Sequence, residues 1–420
     1  MRGTPQRAFP TFLRLHVFDA ASQTSHNNAE SDRRFFLKES IMPSFLPLRR
    51  AAWIAAALSL VASLPRAEAA KVWDQPQKGK VELKSIDVLG FGPEGVLLIG
   101  DGRSAAIFAV KTGEAKSGGK VPATVAKVDA KLAAAVGAPP TGIEIADLAV
   151  NPVSGTVYFA VRKQDDKTPI VLTLNSAGDV GLADLDNVEY VRVALPTEGA
   201  PIGKITDVAW TDGKLLAAAA ASEEFASKIF IAPTPLKHDA VGELHSAETY
   251  HVQHHKWETK SPMTTIMPFT EGGKTYLAGA FACTPVVKYS LDSLAPQAKV
   301  KGTSVLELGS GNRPQDMFTY TKGGKEYVLA NTFRFHHERK PLGPSPYWTV
   351  RFDRDLLGEE ENVNEKALFR LKGDKPASEK VVMIDAYHGV VQMDRLGETE
   401  AVVLKQNADK SYDLAVLELP

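Results

Sequence analysis

One order of elements recurs along this chain and limits what it can fold into. Ser85-Ile-Asp87-Val-Leu-Gly-Phe91 precedes a glycine turn, the apolar run Val96–Asp101 and then Ala106–Val110. Ile145-Ala-Asp147-Leu-Ala-Val150 precedes Gly155 and Thr156–Val161, and Ile205-Thr-Asp207-Val-Ala-Trp210 precedes Gly213, Lys214–Ala218 and Lys228–Ile231. Three later stretches keep the order with more drift: Met263–Phe269 to Val286–Tyr289, Gln315–Tyr320 to Trp348–Phe352, and Val390–Met393 to Leu414–Leu417. Copies start about 60 residues apart, too long a period for leucine-rich or ankyrin repeats.

Each unit reads as apolar strand, tight turn, second strand, variable loop, third strand and linker, with turn residues as punctuation. Long helical periodicity is absent. One segment dissents: Ala123–Val136 is rich in Ala, Lys and Val and stops at Gly137-Ala-Pro-Pro140, which predicts a short helix. Six units account for the whole of Lys71–Pro420. In this the chain resembles the β-propeller superfamily, nearest to six-bladed gluconolactonase-like and NHL-type architectures. The resemblance is architectural, since no repeated Trp-Asp dipeptide or Asp-box accompanies it. It implies an all-β, six-bladed propeller (seven-bladed as the alternative) in one domain, 71–420. Ring closure would pair Val72–Leu83 with the last blade and so remove the exposed sheet edges. Two β-sandwiches would also supply short strands and turns, but nothing in them requires the same order in every unit.

The chain ahead of the repeats reads as a leader. Residues 1–41 carry no folding pattern and are expected to be disordered or to precede the true start. Met42–Arg50 is a basic segment, Ala51–Leu64 is apolar and uncharged, and Ala67-Glu-Ala69 is a small-x-small cleavage site. The apolar stretch is too short to span a bilayer comfortably. Residues 42–70 are therefore read as a signal peptide cleaved near Ala69/Ala70, and the mature protein as exported to the periplasm, cell surface or medium. Asp32-Arg33-Arg34-Phe35-Phe36-Leu37-Lys38 resembles a twin-arginine signal and is the alternative route. A single cysteine, Cys283, excludes an intramolecular disulfide framework, a Cys-rich zinc module and c-type haem attachment. With 49 basic and 50 acidic residues the chain has no bulk attraction for nucleic acid.

Propeller geometry would gather several chemical groups on the face where inner strands begin. Asp87, Asp147, Asp207 and Asp316 would ring the channel mouth, with Arg313 and Arg334 beside them as ligand-binding residues. They have two readings: carboxylate ligands for Ca²⁺ or Mg²⁺, or caps for backbone N–H groups where one blade passes to the next. His254 and His255, in Tyr250-His-Val-Gln-His-His-Lys-Trp257, join Cys283, His336, His337 and His388 as candidate ligands for a divalent or transition metal. No Gly-x-Ser-x-Gly elbow or P-loop is present. The sequence thus predicts a monomeric, exported binding module for a small molecule or an exported protein, acting through a His/Asp-rich face. The alternative is a metal-dependent enzyme, either a lactonase-like hydrolase with Ca²⁺ or Mg²⁺ or a redox enzyme with a His/Cys site.

Overall fold

The structure is a computed structural model that describes residues 71–420 apart from 117–118, 198–200, 283–284, 295–298, 310, 342 and 368–377. All lie in the compact unit Glu68–Pro420. The leader segments 1–41 and 42–70, and Cys283, fall outside the described residues.

Alternating apolar residues and tight turns build antiparallel hairpins throughout. Gly272–Gly273 and Gly323–Gly324 take φ of 55°, 75°, 60° and 76°. This left-handed pair is what a two-residue hairpin turn needs and what glycine adopts at no steric cost. Among the described residues the hairpins form six groups of strands, labelled blades I to VI by the chain order of their inner strands: Val88–Phe91, Ile143–Val150, Ile202–Thr211, Met263–Glu271, Asn312–Lys322 and Val390–Leu396. Among the described residues each inner strand packs against two others, and the contacts close a ring in the order I, III, IV, V, VI, II. The fold is a β-propeller.

The core is distributed around that ring. One apolar cluster fills each gap between neighbours, such as Val88, Leu98, Val208 and Phe230 between I and III, or Met267, Val305, Trp348 and Phe352 between IV and V. The gaps I/II, II/VI, III/IV and V/VI are filled the same way. Burial of one large apolar side chain stabilises by roughly 1.5–3 kcal/mol, so no single gap holds the ring alone.

The blade order departs from the chain order. After its third strand, Ala106–Lys111, the chain leaves blade I, and Thr124–Val125 pairs with Tyr412–Glu418 as the outermost strand of blade VI. The helix Val128–Ala135 and all of blade II follow. The chain then returns as Val188–Ala194 to lie beside Ala106–Lys111 as the fourth strand of blade I. Blade II is therefore inserted inside blade I. Closure by Val72–Leu83 is corrected accordingly: Gln77–Gly79 pairs with Val188–Tyr190 at the outer edge of blade I. The predicted helical segment is part strand and part helix, because Thr124–Val125 finds an unpaired edge on blade VI.

Blades III and IV are joined in a second way. Their outer strands, Glu243–His251 and Lys299–Glu307, pair in parallel, so the two sheets run together. Gly302 on that outer strand leaves room for the buried Tyr289 ring of the neighbouring blade IV strand, since a Cβ there would stand 2.6 Å from it, and the Tyr289 hydroxyl reaches across the seam to the Glu248 carbonyl.

Candidate functional site

All six inner strands line an axial channel of about 710 Å³. Five of them, in blades II to VI, carry a register shift in the first half of the strand, between Ile145 and Asp147, Ile205 and Asp207, Met263 and Thr265, Pro314 and Met317, and Val390 and Gln392. A bulge bends the strand and re-aims the side chain beside it. Here the re-aimed groups reach across to the next blade.

Asp147 of blade II accepts the Leu89 amide of blade I at 2.7 Å. Asp87 of blade I accepts the Ile205 amide of blade III at 3.2 Å and the Gly102 amide at 3.0 Å. Asp207 of blade III accepts the Ile266 amide and the Thr265 hydroxyl of blade IV, both at 2.7 Å. Asp316 of blade V accepts the Met393 amide of blade VI at 2.8 Å. Asp394 of blade VI accepts the Val150 amide of blade II at 2.7 Å. Five of the six junctions are thus fastened by a carboxylate, all in the same rotational sense. At the place in blade IV that matches Asp207 stands Thr265. The capping reading of the aspartate ring is the one this geometry supports.

Electrostatics follow from enclosure. Burial pushes Asp207 and Asp394 up to about 6, against the opposing pull of their amide donors. Asp147 and Asp316 are held well above the usual carboxylate range, first by burial and then by neighbouring carboxylates. Gln392 lies between them, its amide nitrogen 2.9 Å from Asp147 Oδ1 and 3.0 and 3.2 Å from the two oxygens of Asp316. Burial makes these carboxyls easier to protonate than free ones, and a protonated carboxyl is a hydrogen-bond donor. Lys204 and Arg313 also line the wall. Burial lowers the Lys204 pKa, Asp87 opposes that shift, and the Arg313 and Arg162 charges add to it.

The other predicted residues are dispersed. Arg334 ends the second strand of blade V, outside the channel wall, opposite Asn312. His336 and His337 lie on the turn that follows, where burial lowers the His337 pKa, with Arg334 and His388 adding to the shift. His388 is buried, with Nε2 3.4 Å from Asp385. His255 is exposed and faces Glu365 at 3.3 Å. His254 is brought to His251, its neighbour in the His-x-x-His-His stretch, and to Glu258, which the sequence did not point to: their candidate ligand atoms lie within 4.8 Å of one another. Lys204, Gln392 and Asp394 were also missed. Asp394 carries a faint signal, an acid in the last inner strand displaced by two residues from the repeat position.

Comparison with known proteins adds shape alone. No protein-family model matches the chain, and no curated protein is significantly similar. Three solved structures overlay broadly on it. A glucose dehydrogenase-type oxidoreductase from Thermus thermophilus is 13% identical, covering 82% of this chain and 100% of that one, at a TM-score of 0.34. The PQQ-bound aldose sugar dehydrogenase from Streptomyces coelicolor is 12% identical, covering 83% and 99%, at 0.31. A β-propeller domain of Cps50 from Myceliophteria thermophila is 12% identical, covering 82% and 86%, at 0.31. Likeness at this level carries no activity to the chain.

Proposed function

We infer that the protein is a binding module whose axial channel takes a small hydroxylated organic acid. The observation that carries this reading is that Lys204 and Arg313 lie near one another on the wall of a channel lined by both polar and apolar groups. Two neighbouring cations in a partly desolvated place repel, and an anionic ligand group between them relieves that cost. Thr206, Thr264 and Gln392 line the same wall with Asp147 and Asp316, whose pKa values burial raises, a set that suits hydroxyl groups. The engagement of the carboxylates by backbone amides favours holding a ligand over turning one over. The reading of residues 42–70 as a signal peptide is in keeping with binding outside the cytoplasm. Among the described residues no helix is long and apolar enough to cross a membrane.

Calorimetric titration with gluconate, tartrate and citrate, against glucose and glycerol as neutral controls, tests the reading. At least one acid is expected to bind, with the affinity lowered about tenfold or more by Lys204→Met and by Arg313→Ala, about 1.4 kcal/mol per tenfold. Equal binding of acids and neutral polyols, or indifference to both substitutions, would count against it.

A further inference from the structure

The tip of blade III carries a second polar cluster, independent of the channel. The outer strand Glu243–His251 ends in the 3₁₀ turn Val252–His254, and the chain returns as Lys256–Glu258. His255 reverses it with a left-handed φ of 50°. Register places His251 opposite Lys256 and Thr249 opposite Glu258, which puts His251 and Glu258 on the same face of the hairpin. The turn folds the His254 ring over that of His251, centroids 4.1 Å apart. The geometry points to a binding site for one divalent transition metal of the zinc class, formed by His251, His254 and Glu258.

Three features support it. Two imidazoles and a carboxylate are a donor set that zinc takes with a fourth position left open. Donors bound at ~2.0–2.1 Å in a tetrahedron stand about 3.3–3.4 Å apart, and His254 Nδ1 is 3.3 Å from Glu258 Oε1. The site is also preorganised from behind. Glu307, buried at the end of the neighbouring outer strand, accepts the Val252 amide at 2.5 Å and the Gln253 amide at 3.2 Å. Its second oxygen lies 3.5 Å from His251 Nε2, the carboxylate–histidine arrangement that orients metal-binding imidazoles. Lys256 Nζ sits 3.0 Å from Glu258 Oε1. Lys256 is an exposed side chain on a flexible stem, and an ion pair with one exposed, mobile partner is weak enough to yield to a divalent ion.

The test uses the full chain, stripped with a chelator and titrated with Zn²⁺ alone in competition with a chromophoric chelator. The expected result is one tight equivalent in the wild type, lost in His254→Ala and in Glu258→Gln and retained in His255→Ala. Co²⁺ in place of Zn²⁺ is expected to give the visible absorption of a four-coordinate N/O site. His254 is partly exposed, so His254→Ala should unfold at the temperature of the metal-free wild type, which separates lost binding from lost folding. Absence of a stoichiometric equivalent in the wild type overturns the proposal. So does loss of binding in His255→Ala with retention in Glu258→Gln, which would move the ion to other histidines.

Discussion

The Asp207 carboxylate and the Ile266 amide are 59 residues apart in the chain and 2.7 Å apart in space. The same carboxylate takes the Val208 amide and the Thr265 hydroxyl, each at 2.7 Å, so one side chain ties blade III to blade IV at the channel wall. Replacing it with alanine leaves a buried inter-blade amide without its acceptor. Asp207→Ala is therefore expected to lower unfolding free energy by about 1–3 kcal/mol, measured by urea denaturation. An unchanged midpoint would mean that the ring of aspartates is not a structural fastening.

Stability should also carry the pH signature of these groups. Asp207 and Asp394 rise to about 6 on folding because burial disfavours their charge, against ~3.9 in an unfolded chain. A carboxyl raised in this way binds its proton more tightly when folded. Its contribution is full below about pH 4 and is lost as pH rises through about 6. Asp394→Asn mimics the neutral form. The difference in unfolding free energy between variant and wild type should therefore move in the variant's favour between pH 4 and pH 7, by on the order of 1–3 kcal/mol. A difference that stays flat across that window would show Asp394 already ionised at pH 4.

The seam between blades III and IV is bridged by Tyr289, whose ring, with Val287, lies over Gly302 of the neighbouring blade IV strand. The Tyr289 ring is fixed there by its hydroxyl, which donates to the Glu248 carbonyl at 3.0 Å. Gly302→Ala should destabilise by about 1–3 kcal/mol through overpacking, seen as a lower thermal midpoint. Retention of the wild-type midpoint would indicate that the two outer strands have room to separate.

The insertion of blade II within blade I can be checked by cross-linking. Thr124 and Ala415 are register partners in the closing strand pair. The double variant Thr124→Cys/Ala415→Cys should oxidise to a disulfide-bridged species with altered mobility in non-reducing electrophoresis. Lys78→Cys/Ala415→Cys should not, because Lys78 pairs with Glu189 on blade I. The reverse outcome would restore closure by the N-terminal strand.

Parts of the site were legible because the aspartate position repeats. Asp87, Asp147 and Asp207 recur at one place in their units, and the structure puts all three on the channel wall. Lys204 and Gln392 were not legible, since each occurs once and only the closed ring turns them inward. The histidines show the same limit. His254 and His255 are adjacent in sequence, yet the left-handed residue between turn and strand sends them to different partners, Glu258 and Glu365.

By itself the sequence determined an all-β chain of repeated strand units, because period-two apolar patterning and glycine turns are local properties that each unit expresses alone. It also placed acids at a repeating position. The order of the blades around the ring was decided only in three dimensions. Hydrophobic faces are interchangeable in pattern, so nothing local says that blade I packs against III or that Thr124–Val125 joins blade VI. Those choices rest on which faces fit and which edges remain unpaired. The amide that each aspartate caps was settled with them.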